Sequence, residues 1–312
     1  MKKTIIASLL WMAACSSNGG TTPKAYVGLF GDNAVGVVDL TSNKVLTTIP
    51  VAAPDGLVIT PDGAKIYVSS NNSDVIAVID TATDKMTTSI TIGTQPAGLA
   101  ITPDGMHVVA SVQGDGEAAI IDTTSDSVVA KTAIGKAHNS AISADGTLAF
   151  VASQAATAPA VDVVDVPTAT AGASYTLDAA PRALCELGGK LYVTVVGSAS
   201  IEELDATTGQ AGAQIVTGGS PHDIRPTLDG SLVLTVSQTA GELELVDPSA
   251  STVVAHIPTG TMPHWIALSS DGKLAYVTNE GDNNLVVIDL ATRAVTTTIA
   301  VGNAPRKIAV QP

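Results

Sequence analysis

The sequence is poor in the residue types that nucleic acids and most catalytic chemistry demand. Of 312 residues only 14% are charged and 3% aromatic, and there are two cysteines. Ordinary soluble domains carry about 25% charged residues. Basic residues are the scarcer sign, 15 against 29 acidic ones, for a formal net charge of −14. Such a surface repels nucleic acid and anionic headgroups, and the chain lacks the aromatics for a base-stacking platform in a basic groove. Beyond the N-terminus no apolar run reaches the roughly 18 residues that a membrane-spanning helix needs. Enzyme signatures are missing as well: no Walker phosphate loop, no Gly-x-Ser-x-Gly elbow, no His-Glu-x-x-His and no Cys-x-x-Cys. A c-type haem, which needs Cys-x-x-Cys-His, is excluded on the same ground. What is plentiful is Val, Ile, Ala, Thr and Gly, the composition of many short strands joined by tight turns.

The first residues read as an address. Lys2 and Lys3 precede a short apolar stretch, 5–12, and small residues then lead into Cys15. Met12-Ala13-Ala14-Cys15 resembles a bacterial lipobox, with Met12 where leucine is usual. The resemblance implies a signal peptide over 1–14, cleavage after Ala14 and acylation of Cys15. Ser16, standing where Asp would signal inner-membrane retention, implies the outer membrane. Residues 15–23 are Ser-, Gly- and Thr-rich and read as a flexible lipidated tether, and several acyl chains on one cysteine suffice for stable anchoring. A plain secretory signal is the alternative. With Cys15 lipidated, Cys185 has no intramolecular partner, and its apolar strand pattern predicts a buried thiol.

Internal repeats decide the fold. An aspartate ends a hydrophobic strand at Asp39, Asp80, Asp122, Asp165, Asp205, Asp247 and Asp289, at intervals of 40 to 43 residues. Its expected role is to accept N–H bonds from the turn that follows. A second register is Asp-Gly at 62–63, 104–105, 145–146, 229–230 and 271–272, with Gly188-Gly189 in the remaining place. These pairs supply the positive φ of two-residue hairpin turns. A third register lies seven or eight residues upstream, at Pro54, Pro96, Ala137, Pro181, Pro221 and Pro263, and Pro305 opens a last copy. Each repeat reads as four short strands, the signature of a propeller blade. The last copy, 305–311, supplies an inner strand alone, and 24–51 supplies outer strands without an inner one. The expected fold is therefore an all-β, seven-bladed propeller over 24–312, closed by pairing these two segments.

Tyr276-Val277-Thr278-Asn279 is a literal YVTN, and the segments at 26–29, 67–70 and 192–195 are looser versions in register. With the upstream Pro-x-x-Ile/Leu-Ala and the Asp-Gly, the chain resembles the YVTN β-propeller repeat family. Members include cell-surface proteins, and related propellers include lactonases and a haem-d1-binding domain. The resemblance implies an architecture and leaves the reaction open.

In a propeller the residues after the register prolines face the mouth of the central channel. Around the ring they are Asp55, Ala97, His138, Arg182, His222, His264 and Arg306. Three uses suit them: a metal site on His138, His222 and His264, with Asp55; an anion or carboxylate pocket built on Arg182 and Arg306; or a polar, solvated mouth without a dedicated ligand. Arg225, among small apolar residues in the fifth repeat, needs a carboxylate, from Asp223 or Glu186. The Asp- and Asn-rich loops at 31–33, 71–74, 114–117 and 280–284 offer oxygen ligands for Ca²⁺, and equally they are turn chemistry. No cofactor is required. The expected molecule is a monomeric, envelope-anchored binding scaffold for a small ligand or envelope protein, held to the membrane by its lipid and without affinity for nucleic acid. A lactonase-like hydrolase or a metal-binding protein acting at the channel mouth is the alternative.

Overall fold

The computed structural model describes residues 23–312; the signal segment, Cys15 and the tether up to residue 22 lie outside them. Apart from one 3-10 turn at Phe30–Asp32, the regular elements are strands. They form seven four-stranded antiparallel sheets, the blades of a β-propeller. Counting from Pro54, the sixth blade shows the plan: inner strand Pro263–Leu268, then Leu274–Asn279, Asn284–Asp289 and an outer strand Ala294–Ala300. A proline fits the first position of an inner strand because its missing N–H leaves no ladder bond unmade. The seventh blade joins both ends of the chain. Its inner strand Pro305–Val310 pairs antiparallel with Lys24–Leu29, with Ala25 opposite Val310 and Val27 opposite Ile308. Closure leaves no unpaired edge where the ring begins and ends.

The core is a set of wedges between neighbouring blades. Second and third strands are buried on both faces, so they read as continuous apolar runs rather than alternating ones. Tyr67, Ile76 and Val78 of the first blade, for example, pack against Leu99, Val108 and Ala119 of the second. Outer strands are exposed along most of their length.

All seven register aspartates accept hydrogen bonds from their turns; Asp39 takes the N–H of Thr41 at 2.7 Å and of Ser42 at 3.0 Å, and the others repeat the pattern. These bonds to the charged form hold each carboxyl below the ordinary aspartate range. The Asp-Gly turns differ from expectation. Thr60 bonds Lys65 across a four-residue loop, and the Gly63 N–H returns to the Thr60 carbonyl at 2.8 Å. Only the glycine has positive φ there. The aspartate instead caps the loop, Asp62 accepting from the Thr60 hydroxyl and the Ala64 N–H. Gly188-Gly189 alone is a two-residue turn, with both φ positive and Leu187 paired to Lys190.

Candidate functional site: the channel mouth

Each inner strand carries a β-bulge just past its register residue, between Ala137 and Ser140, Pro181 and Leu184, Pro221 and Ile224, and Pro263 and Trp265. A bulge interrupts the alternation of faces, so that two consecutive residues reach the channel. Six of the seven ring residues, Asp55, His138, Arg182, His222, His264 and Arg306, accordingly line one cavity of about 320 Å³. Ala97 is buried and does not. Asn139, Trp265 and Lys307 join them from the next position along, and Glu280 comes from the loop of the sixth blade.

The charged groups are unevenly paired. Arg306 directs Nε and Nη2 at the same Glu280 oxygen, each at 3.1 Å, and its guanidinium lies 3.6 Å over the Phe30 ring. Lys307 Nζ donates to Asn139 Oδ1 at 2.7 Å and sits 2.9 Å from the Trp265 ring centre. Burial, against the opposing pull of Asp223 and Asp55 and with a smaller push from Arg225, brings its pKa down to about 7. Arg182 has no carboxylate within 4 Å among the described residues, and its buried Nε has no hydrogen-bond partner.

His222 and His264 stack with ring centres 4.0 Å apart and planes tilted by 46°. Burial first, then His264 and the cations Arg182 and Lys307 for His222, and the cations Arg306, Lys307 and Arg182 for His264, hold both well below the usual histidine pKa, so both are neutral at pH 7. Their Nδ1 atoms are buried without partners. His138 stands apart, its Nδ1 at 3.1 Å from the Arg182 carbonyl, which also accepts from Asn139. The structure thus brings two of the three ring histidines into contact. Among the described residues, one group of three potential ligands has its atoms within 4.8 Å of one another, and it is Glu242, Glu244 and His256 on the outside of the fifth blade.

Lys307, Asn139 and Trp265 divide the mouth from a second cavity of about 430 Å³ at the far end. That end is lined by small and aliphatic residues such as Val58, Ala100, Cys185, Ala267 and Ala309. Arg225 finds Asp223 there, at 3.6 Å. Asp223 Oδ2 also accepts the Ile266 N–H at 2.9 Å, and burial still raises its pKa. Glu186, the other expected partner, instead caps the Gly188-Gly189 turn through the Gly189 N–H. Cys185 is a buried free thiol.

The acidic loops use their oxygens to tie neighbouring segments together. Asp32 accepts from the backbone and side chain of Asn303, Asp115 from Thr94, Asp282 from Thr261 and Asn283 from Ala304.

Lys307, Asn139, Trp265 and Asp223 were accessible in the sequence as a column two residues past the register position: Gly56, Gly98, Asn139, Ala183, Asp223, Trp265, Lys307. Strict strand alternation assigns that column to the other face.

A closed ring of seven four-stranded blades around a polar-mouthed channel defines a seven-bladed β-propeller of the YVTN-like kind. Within it, residues 187–311 match the model of the YNCE-like beta-propeller family, and this match and the ring together fit a YVTN-like seven-bladed propeller family. No curated protein matches the sequence. Among solved structures, hydrazine synthase of Kuenenia stuttgartiensis superposes with a TM-score of 0.78 at 21% identity over 85% of this chain and 92% of that one. A putative 6-phosphogluconolactonase of Bacteroides uniformis gives 0.74 at 18% identity, covering 93% and 99%. AztD of Citrobacter koseri gives 0.67 at 14% identity, covering 92% and 97%. At such identities the likeness is one of fold, which hosts unrelated functions.

Proposed function

We propose that this propeller is a binding protein of the bacterial envelope, tethered through Cys15, whose channel mouth takes a small anionic ligand such as a carboxylate. The observation that carries the reading is Arg182, a guanidinium facing the cavity with no carboxylate partner. A guanidinium presents a planar fork matched to carboxylate or phosphate. Arg182 and Arg306 balance Asp55 and Glu280, and Lys307, with a pKa of about 7, adds positive charge to the lining below that pH, in a chain whose overall charge is −14. The neutral histidines leave two buried Nδ1 atoms to orient the ligand's polar groups. A small polar cavity held on rigid inner strands suits selective binding.

The test is calorimetric titration of the protein with citrate, gluconate and inorganic phosphate. Saturable binding of at least one, weakened about tenfold or more by Arg182→Gln, is expected, since loss of a charge-assisted contact is worth roughly 1.5 to 3 kcal/mol. The reading fails if none of the three binds, or if Arg182→Gln binds as well as the native chain. The anchor is tested apart from the pocket: labelled palmitate should enter the native chain in cells and not the Cys15→Ala variant.

A further inference from the structure

We infer that Glu242, Glu244 and His256 form a divalent-metal site on the outer half of the fifth blade, suited to a first-row ion such as Zn²⁺. The site is independent of the channel. Glu242 and Glu244 are two apart on the third strand, Glu242–Asp247, and so share a face. His256, on the outer strand Thr252–Pro258, is the register partner of Glu244. The three ligand atoms lie within 4.8 Å of one another, with His256 Nδ1 at 2.9 Å from Glu242 Oε1 and 4.0 Å from Glu244 Oε1. Ligands on a tetrahedral ion with bonds of about 2.0 Å are about 3.3 Å apart, a spread that side-chain rotation alone can reach.

Glu244 points to a ligand rather than to a surface ion pair. Its side chain is fully buried. One oxygen accepts the Gly218 N–H, and the other is buried without a donor among the described residues, with the Glu242 carboxylate beside the group. Burying a carboxylate oxygen without a donor or cation is costly. The mouth of the site is open, because the His256 side chain is 53% exposed. Gly218 leaves the space, since a Cβ there would strike both carboxylates.

The other blades show that the fold does not require this cluster. The same three positions are Ala34, Gly36 and Thr48 in the seventh blade and Val75, Ala77 and Ser89 in the first. In the third they are Ala160, Asp162 and Ser174, where the single carboxylate is satisfied by the Gly135 N–H and the Ser174 hydroxyl. Only the fifth blade has two glutamates facing an imidazole. That mixed oxygen and nitrogen set suits Zn²⁺, or Mn²⁺ among harder ions.

The experiment is calorimetric titration of Zn²⁺, and separately Mn²⁺, into the untagged full chain after removal of adventitious metal. One equivalent should bind. His256→Gln, at an exposed position that does not threaten folding, and Glu244→Gln, nearly isosteric, should each weaken binding more than about 100-fold, beyond the roughly 10- to 100-fold loss of an outer-sphere partner. The double variant His222→Gln/His264→Gln should titrate like the native chain. The inference is overturned if neither ion binds, if His256→Gln binds as tightly as the native chain, or if the double variant abolishes binding.

Discussion

At the mouth of the channel the residue after the register position is polar in six of the seven blades, Asp55, His138, Arg182, His222, His264 or Arg306; three residues further along the inner strands stand Val58, Ala100, Ala141, Cys185, Ala267 and Ala309. The difference follows from what lies beside each position. In five blades the far residue sits opposite a large ring of the second strand: Val58 faces Tyr67, Ala141 faces Phe150, Cys185 faces Tyr192, Ala267 faces Tyr276 and Ala309 faces Tyr26. A small residue must stand beside a large one for the wedge between blades to close at interior packing density. In the second and fifth blades the opposite residue is aliphatic, Val109 and Leu234; the small Ala100 still stands beside the first, and Arg225 stands beside the second. The mouth positions lie within the bulge, where the register carries no such partner, so they are free to differ. The repeat therefore dictates one end of the channel and leaves the other to function.

Removing a charge from each end should expose the contrast most strongly. Asp223→Ala leaves the buried Ile266 N–H without its acceptor, and Arg225, whose side chain is 33% exposed, without its carboxylate. Leaving the interior N–H unpaired costs about 1 to 3 kcal/mol. Asp55→Ala, in the solvent-open mouth, should cost less than about 1 kcal/mol. Urea denaturation of the two variants measures both losses, and equal losses would dissolve the distinction between the ends.

The divider between them should be visible in the pH dependence. Folded Lys307 has a pKa of about 7 against an ordinary 10.5. Between these values the unfolded chain holds a proton that the folded chain has released, so stability rises with pH by about 1.4 kcal/mol per unit across that window. Lys307→Met should flatten that rise. His222 and His264 act on the acid side. Their folded pKa lies well below 6.5, so as pH falls below 6.5 the unfolded chain takes up protons that the folded chain refuses. Stability drops there by up to about 1.4 kcal/mol per unit for each, and His264→Gln should halve that slope. Thermal unfolding at intervals from pH 5 to pH 10 reads both arms. A flat native profile above pH 7 would mean that Lys307 keeps its charge in the fold.

Most of the fold was legible because its signals are local. Each register aspartate bonds N–H groups two or three residues away, and each turn glycine needs its φ whatever the rest of the ring does. The ring of mouth residues was legible for the related reason that one register places all seven. Lys307, Trp265 and Asn139 were not, because the bulge turns consecutive residues to one side where strand alternation would separate them. Glu280 looked like loop chemistry; its place beside Arg306, 26 residues on and in the next blade, is set by the ring alone. The turn geometry was misjudged because Asp-Gly serves both a two-residue hairpin and a capped four-residue loop, and only the bond between Thr60 and Lys65 distinguishes them. The fifth-blade trio was half visible: Glu242 and Glu244 are two apart, but His256 joins them through strand register.

A last pair of variants tests how far the repeat governs the far end. The capped loops there nest around the ring, each glycine lying against the preceding blade: Gly105 against Pro61, Gly146 against Pro103 and Gly63 against Pro312. Gly188 and Gly189, where the repeat departs from Asp-Gly, meet nothing within 4 Å of a built Cβ. Alanine at Gly105 must adopt a φ of +72° and also press its Cβ to 2.8 Å from Pro61, so it combines left-handed strain with overpacking and should cost about 2 to 4 kcal/mol. Alanine at Gly188, with φ +60° and open space, meets the strain alone, about 1 kcal/mol. Denaturant midpoints of the two variants separate the terms. If Gly188→Ala proved as damaging as Gly105→Ala, the nesting of loops would contribute nothing. The far end would then be held by backbone conformation alone, without contact between blades.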